Sequence, residues 1–427
     1  MGYVFILPQL SRRSFHTSKG MRSDFANSRF ADTSKQALLS PWFRHHLFIL
    51  GFDYIKLQAY KKLSSLIFQG GGGIIKNTVF EISLFVKREW ATNSSLLQQV
   101  VPLMTIDPAI NLSNFKWFYV SIGYMMLTEE EASIESLTDK VVELYLELGG
   151  SHLPLNAPSN SIENRVRKIT KRYYNAVKID YRKLYDPLYG DRCIRMGNDT
   201  ELIMLPPLPQ IKSKQLLAKA LLHKELYRAF ESPDHCVYQS LVHYGLSVSP
   251  SILKIVKYDL LFLDGLGDFF LAKESSEFLY LFRQKYPFSD DDSFGKKTYN
   301  LLKTILATNT LLLRLAIAYN LHSSLNDPFV SDLFYSSYIS TILKRTENPD
   351  PMLVRYEEEF VADYFEQYVG ALYLEQPQVA KEWINSLFER ILSLITDSYR
   401  VQSRRKKRAS CHYDYRAWSV DMIGRSI

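Results

Sequence analysis

Leu260-Leu261-Phe262-Leu263-Asp264-Gly265-Leu266-Gly267-Asp268-Phe269-Phe270-Leu271 is apolar except for two aspartates and two glycines. Wound as a helix it shows apolar residues on every side, the pattern of a helix buried at the centre of a fold. Asp264 and Asp268 stand at i and i+4 on one face of that helix. A second stretch repeats the pattern: Phe360-Val361-Ala362-Asp363-Tyr364-Phe365-Glu366-Gln367-Tyr368-Val369-Gly370-Ala371-Leu372-Tyr373-Leu374 is mostly apolar, with Asp363 and Glu366 at i and i+3. Both segments predict buried helices that each carry a pair of carboxylates on a single face.

Buried carboxylates need compensation, because an unpaired charge is costly in a low-dielectric interior and crowding several raises their pKa values. A divalent metal is one solution. Oxygen-only ligands suit Mg²⁺ or Mn²⁺, and such ions support phosphodiester hydrolysis by activating water and stabilising the leaving oxygen. The other solution, equally compatible with the spacing, is that the acids face solvent or pair with Lys and Arg.

Leu263 to Asp268, Leu-Asp-Gly-Leu-Gly-Asp, resembles the ribonuclease III signature Leu-Glu-Phe-Leu-Gly-Asp. Ala362-Asp363-Tyr364-Phe365-Glu366 with Gly370-Ala371-Leu372-Tyr373-Leu374 resembles the second motif of that family, in the same order along the chain. Upstream, Leu216 to Lys224 looks like the family's first helix, and Leu306-Ala307-Thr308-Asn309 with Leu315-Ala316 like the helix between the two motifs. The resemblance covers about residues 212 to 395. It implies that Asp264, Asp268, Asp363 and Glu366 bind metal, with Asp268 and Glu366 catalytic. It also implies pairing of two such domains, as a homodimer or heterodimer. Asp264 stands where the family has glutamate, and Gly265 where it has an aromatic that helps the paired domains pack.

The fold expected is all-α. A mostly helical region spans 36–205, with helical patterns over Trp42 to Phe68, Leu96 to Met104, Phe115 to Met126 and Ile134 to Leu148. Gly70-Gly71-Gly72-Gly73 lacks the Lys-Ser or Lys-Thr of a phosphate loop and reads as a flexible connector. His45-His46 has no partner ligands at metal spacing. Leu205-Pro206-Pro207-Leu208-Pro209 cannot continue a regular helix and marks the domain boundary. Residues Glu231 to Lys257, containing Ser-Pro and Gly, read as an inserted loop, and 396–427 as a basic tail after the last helix.

Two basic segments frame the acidic motifs. Between Arg165 and Lys183, Arg165, Arg167, Lys168, Lys171, Arg172, Lys178, Arg182 and Lys183 face one acid, Asp180, and alternate with tyrosines. Cations neutralise phosphates and tyrosines stack on unpaired bases, so this stripe suits RNA; a solvated helix with inward tyrosines fits the same residues. The run Arg404-Arg405-Lys406-Lys407-Arg408 is a second candidate RNA contact. A net charge of +7 and a pI near 9.0 agree with a polyanionic partner.

The chain of 427 residues is 46% hydrophobic and 23% charged, which excludes a disordered protein and predicts two domains. Three cysteines, Cys193, Cys236 and Cys411, form neither a zinc spacing nor a disulfide framework. Before the first acid, Asp24, stand Arg12, Arg13, Lys19 and Arg22 among Ser11, Ser14, Thr17, Ser18 and Ser23, the composition of a mitochondrial presequence over 1–35. Trp117 to Leu127 is too short to span a bilayer, and Leu301 to Leu321 is interrupted by Lys303 and Arg314, so no transmembrane segment is expected. Together these readings predict a mitochondrial matrix protein that binds structured RNA. Two jobs fit: a metal-dependent double-stranded-RNA endonuclease in RNA processing, or an inactive component or assembly factor of the mitochondrial large ribosomal subunit.

Overall fold

The structure, a computed structural model, describes residues 41–66, 71–92, 99–104, 115–128, 131–148, 189–190, 192–196, 201–221, 223, 250–285, 296–322 and 351–407. The expected presequence, the basic stripe 165–183 and Arg408 lie outside the described residues. Helices dominate: α1 (Pro41–Leu66), α2 (Gly71–Ala91), α3 (Phe115–Thr128), α4 (Glu131–Leu148), α5 (Lys214–Leu221), α6 (Pro250–Lys285), α7 (Lys296–Leu306), α8 (Asn309–Ala318), α9 (Pro351–Glu375) and α10 (Pro377–Lys407).

The central helix is α6, whose 36 residues extend roughly 54 Å at about 1.5 Å per residue. It packs against α9, α1, α2, α10, α7 and α5, and Leu260, Leu263, Leu266, Phe269, Phe270 and Leu279 are all buried on it. Apolar residues on every side of the sequence pattern are thus used on every side. Its interior charges are paired within the helix layer. The Lys273 ammonium lies 2.7 Å from Glu274 and 2.6 Å from Glu277, and Lys381 of α10 reaches Glu277 from the other side. Burial opposes the Glu277 charge, but Lys273 and Lys381 outweigh it and hold this carboxyl well below the usual carboxylate range.

The core does not stop at the proline segment. Residues from Tyr54 to Ile395 form one hydrophobic cluster, which includes Leu205, Leu208 and Ile211 from the segment itself. The Tyr319 hydroxyl donates to Pro206 O at 2.6 Å and that of Tyr368 to Pro209 O at 2.6 Å, so carbonyls without a ladder partner are satisfied by tyrosines of the helices beneath. On the other side of the segment, Tyr60 of α1 donates to Leu261 O at 3.1 Å and Phe262 O at 3.3 Å, and its ring stacks on Phe262. Asp53 of α1 is buried among Lys56, Lys303 of α7 and Ser276 of α6, whose hydroxyl donates at 2.6 Å. Burial raises this carboxyl, yet Lys303 and Lys56 hold it below its ordinary value. Tyr60→Phe, which removes the hydroxyl's bonds to α6 and leaves the ring, is expected to cost about 0.5–1.5 kcal/mol in urea unfolding. No change in midpoint would show those bonds to be idle.

Several sequence expectations change. The glycine run is not a connector throughout, because α2 starts at Gly71; Val79, Ile82, Val86 and Trp90 recur at helical spacing and are buried, and that burial carries the helix through its poor first turn. Leu96 to Met104 holds a short 3₁₀ turn, Val101–Leu103. The fold is not purely helical: β1 (Arg192–Met196) and β2 (Glu201–Leu205) pair antiparallel, with Ile194 and Ile203 facing each other and buried while Leu202 and Met204 point outward. Residues 250–257, expected in a loop, are the first turns of α6. Arg404 to Lys407, expected in a tail, lie on the last turns of α10. The apolar stretch Tyr299–Ala318 has the length and composition of a membrane span, yet it is divided into α7 and α8 at Ala307-Thr308, and Leu302, Ile305, Leu311, Leu312 and Leu315 fill the core.

Candidate metal centre

Two glycines let α6 and α9 cross backbone to backbone. A Cβ on Gly267 would run into the Glu366 carbonyl and stand 3.1 Å from the Glu366 Cα; one on Gly370 would run into the Leu263 carbonyl and stand 3.0 Å from the Gly267 amide nitrogen. The acid pairs flank this crossing on the facing sides of the two helices, and it brings them together. Carboxylate oxygens of Asp264, Asp363 and Glu366 all lie within 4.8 Å of one another. Asp264 and Asp363 are buried. Asp268 is 48% exposed.

A cation from the N-terminal helices completes the group. Lys76 of α2 places its Nζ 3.4 Å from Asp264 Oδ2 and 3.3 Å from Asp268 Oδ2. Burial pulls that ammonium down, but Asp264, Asp268 and Glu366 outweigh it and hold the proton firmly. At Glu366 that ammonium does not outweigh burial and the neighbouring acids. Burial first, then repulsion from Asp264, Asp268 and Asp363, pushes the Glu366 carboxyl well above its ordinary value despite Lys76.

Asp363 is oriented from below. Ser213 caps α5, its Oγ accepting from the Leu216 amide at 3.3 Å, and the Glu375 carboxylate accepts from the Lys212 and Ser213 amides at 2.7 and 2.8 Å. This fixes α5 on the end of α9 and sets the buried His223 just past it. His223 Nε2 lies 2.8 Å from Phe360 O and 3.4 Å from Asp363 Oδ2. A carbonyl only accepts, so Nε2 carries the hydrogen, and Asp363 receives the same N–H at longer range. The ring also stacks on Phe360, 3.7 Å between centroids.

Gly265 is the counterpart of Lys76. A Cβ there would meet the Tyr60 hydroxyl and ring, and the Lys76 Cε at 3.0 Å. Tyr60 and the lysine stem occupy the space that a side chain at 265 would need. Lys76, Tyr60 and His223 were not among the expected site residues. Lys76 and Tyr60 are about 190 and 200 positions from Asp264 and give no local sign of the contact; His223 was visible only as part of the resemblance. Of the residues expected to meet RNA, Arg404, Arg405, Lys406 and Lys407 are placed on α10, and Arg165, Arg167, Lys168, Lys171 and Arg172 lie outside the described residues.

The donors are oxygens alone, no more than 4.8 Å apart, close to the roughly 4.2 Å that separates opposite oxygens around an ion with bonds of about 2.1 Å. The set fits Mg²⁺ or Mn²⁺ better than a softer metal. Comparison with protein-family models, with curated proteins and with solved structures returned no match.

Proposed function

We propose that the protein is a mitochondrial RNA-binding factor that hydrolyses phosphodiester bonds of structured RNA at Asp264, Asp268, Asp363 and Glu366, on a ribonuclease III-like helical domain. The observation that carries this reading is the meeting of two acid pairs, far apart in sequence, at a glycine crossing between buried helices. Buried like charges cost stability, so acids gathered beside the half-exposed Asp268 support reading the cluster as a site. The resemblance of both motifs to ribonuclease III agrees in residue type and order, the basic segments suit a polyanion, and the N-terminal composition suits import into the matrix.

Asp264, Asp363 and Glu366, with the half-exposed Asp268 beside them, would hold Mg²⁺ or Mn²⁺. When bound, the ion supplies an activated water and neutralises charge on the phosphate. The chain's own residues do the rest. His223 fixes the direction of Asp363. Burial and the neighbouring acids raise the Glu366 carboxyl despite Lys76, and added positive charge at the centre would favour its ionised form. Asp268 faces the solvent from which both water and substrate come.

A second reading is favoured by one observation: Lys76 already bridges Asp264 and Asp268. On that reading the domain is an inactive component or assembly factor of the mitochondrial large ribosomal subunit, with the acids kept as scaffold. Tyr60 and Lys76 also cover the Gly265 face of α6, the face through which the resemblance implies that paired domains pack. Purified protein lacking the first ~30 residues, incubated with structured mitochondrial RNA and Mg²⁺ or Mn²⁺, is expected to cut it. The Asp268→Asn, Glu366→Gln double variant is expected to bind the RNA and leave it intact. If the parent binds RNA or cosediments with the large subunit and never cuts, the endonuclease reading fails and the scaffold reading stands.

A further inference from the structure

We infer that Lys76 is a tethered cation that closes the acidic centre, and that the start of α2 must move before a divalent ion can enter. This inference rests on the reading of the acid quartet as a metal centre. The Lys76 ammonium sits between the two carboxylates of α6, 3.4 and 3.3 Å from their oxygens. An ion held by Asp264, Asp363 and Glu366 would share the Asp264 carboxylate with a like-charged neighbour, so ammonium and ion compete for that acid.

The position of Lys76 on α2 suits a part that withdraws. Beyond it the helix is anchored: Val79, Ile82, Phe85, Val86 and Trp90 are buried in the core. Before it the helix opens with Gly71-Gly72-Gly73, and each glycine costs a helix about 1 kcal/mol against alanine. The turn that leads into the lysine is therefore the cheapest part of α2 to unwind. Lys76 is 29% exposed and Asp268 48% exposed, so the lysine already meets solvent on one side and withdraws without crossing the core. Because Gly265 has no side chain, the lysine stem lies directly over α6; a larger residue there would keep it out. An ammonium in place makes the centre latent; an ammonium withdrawn leaves the carboxylates to an ion of twice its charge.

The test is a titration of the metal-free full-length chain with Mn²⁺, following free Mn²⁺ by electron paramagnetic resonance and the unfolding midpoint alongside. Lys76→Met is expected to bind Mn²⁺ at least tenfold more tightly than the parent and to gain the larger rise in midpoint. Lys76→Arg, which keeps the charge, is expected to behave as the parent. Adding Glu366→Gln to Lys76→Met is expected to abolish the gain. Lys76→Gln, which keeps a donor to the carboxylates, replaces Lys76→Met if that variant does not fold. Equal, measurable affinity in parent and Lys76→Met overturns the inference and leaves the metal centre standing. Weaker binding by Lys76→Met also overturns it, since the lysine then helps to hold the ion. No binding by any variant overturns the metal centre itself, and the inference with it.

Discussion

Gly370→Val is expected to cost about 4 kcal/mol or more, or to leave the chain insoluble, which is the far tail for a single substitution. At this position the obstacle is backbone. A Cβ on Gly370 collides with the Leu263 carbonyl and lies 3.0 Å from the Gly267 amide nitrogen, and neither can rotate away as a side chain could. Relief requires α6 and α9 to separate, and these two helices carry the centre of the core: Leu263, Leu266 and Phe270 on one, Phe365, Val369 and Leu372 on the other. The cost is then lost burial along the crossing as well as strain at one residue. Gly190→Val, where an added Cβ meets nothing within 4 Å, is the control, expected to stay within about 0.5 kcal/mol of the parent. Urea unfolding of both decides it; a Gly370→Val midpoint close to that of the control would show that the helices do not meet as closely as the structure has them.

The same crossing explains what was legible in the sequence. Apolar residues on every side, with acids at i, i+4 and i, i+3, were sufficient to predict two buried helices that each carry a pair of carboxylates on one face. α6, α9, α3 and α4 are all found near the expected positions. The sequence reading failed where local pattern and tertiary environment disagree. Three glycines at the start of α2 hide a helix whose evidence lies later, in Val79, Ile82, Val86 and Trp90. Five-residue strands beside charged residues give too short an alternation to reveal β1 and β2. At the site the sequence carried four acids but not their counter-charge. Lys76 is one lysine among many; only the packing of α2 on α6 distinguishes it. The distinction matters, because ion or lysine was the alternative the spacing left open.

Glu366→Gln is expected to lower function and raise stability at once. Outer-shell partners of a metal typically contribute about 10–100-fold in affinity or activity; losing a ligand carboxylate should cost roughly 100-fold or more in metal-dependent cleavage. In metal-free protein the same carboxyl is a liability: burial and then Asp264, Asp268 and Asp363 raise its folded pKa, with Lys76 only partly opposing. A folded pKa raised above the unfolded value means that the fold prefers the protonated form. The stability so gained is fully present below the unfolded value of about 4.3 and is lost as pH rises through the folded value. Gln, always neutral, escapes that loss. With chelator present, the variant should therefore unfold at higher urea than the parent near pH 9, and its advantage should shrink as the pH falls toward about 5. Saturating Mn²⁺ should reverse the order, since only the parent keeps all its ligands and ligand binding adds to the stability of the folded state alone. If the variant is the less stable at both pH values without metal, Glu366 is not a strained site acid but an ordinary partner in the core.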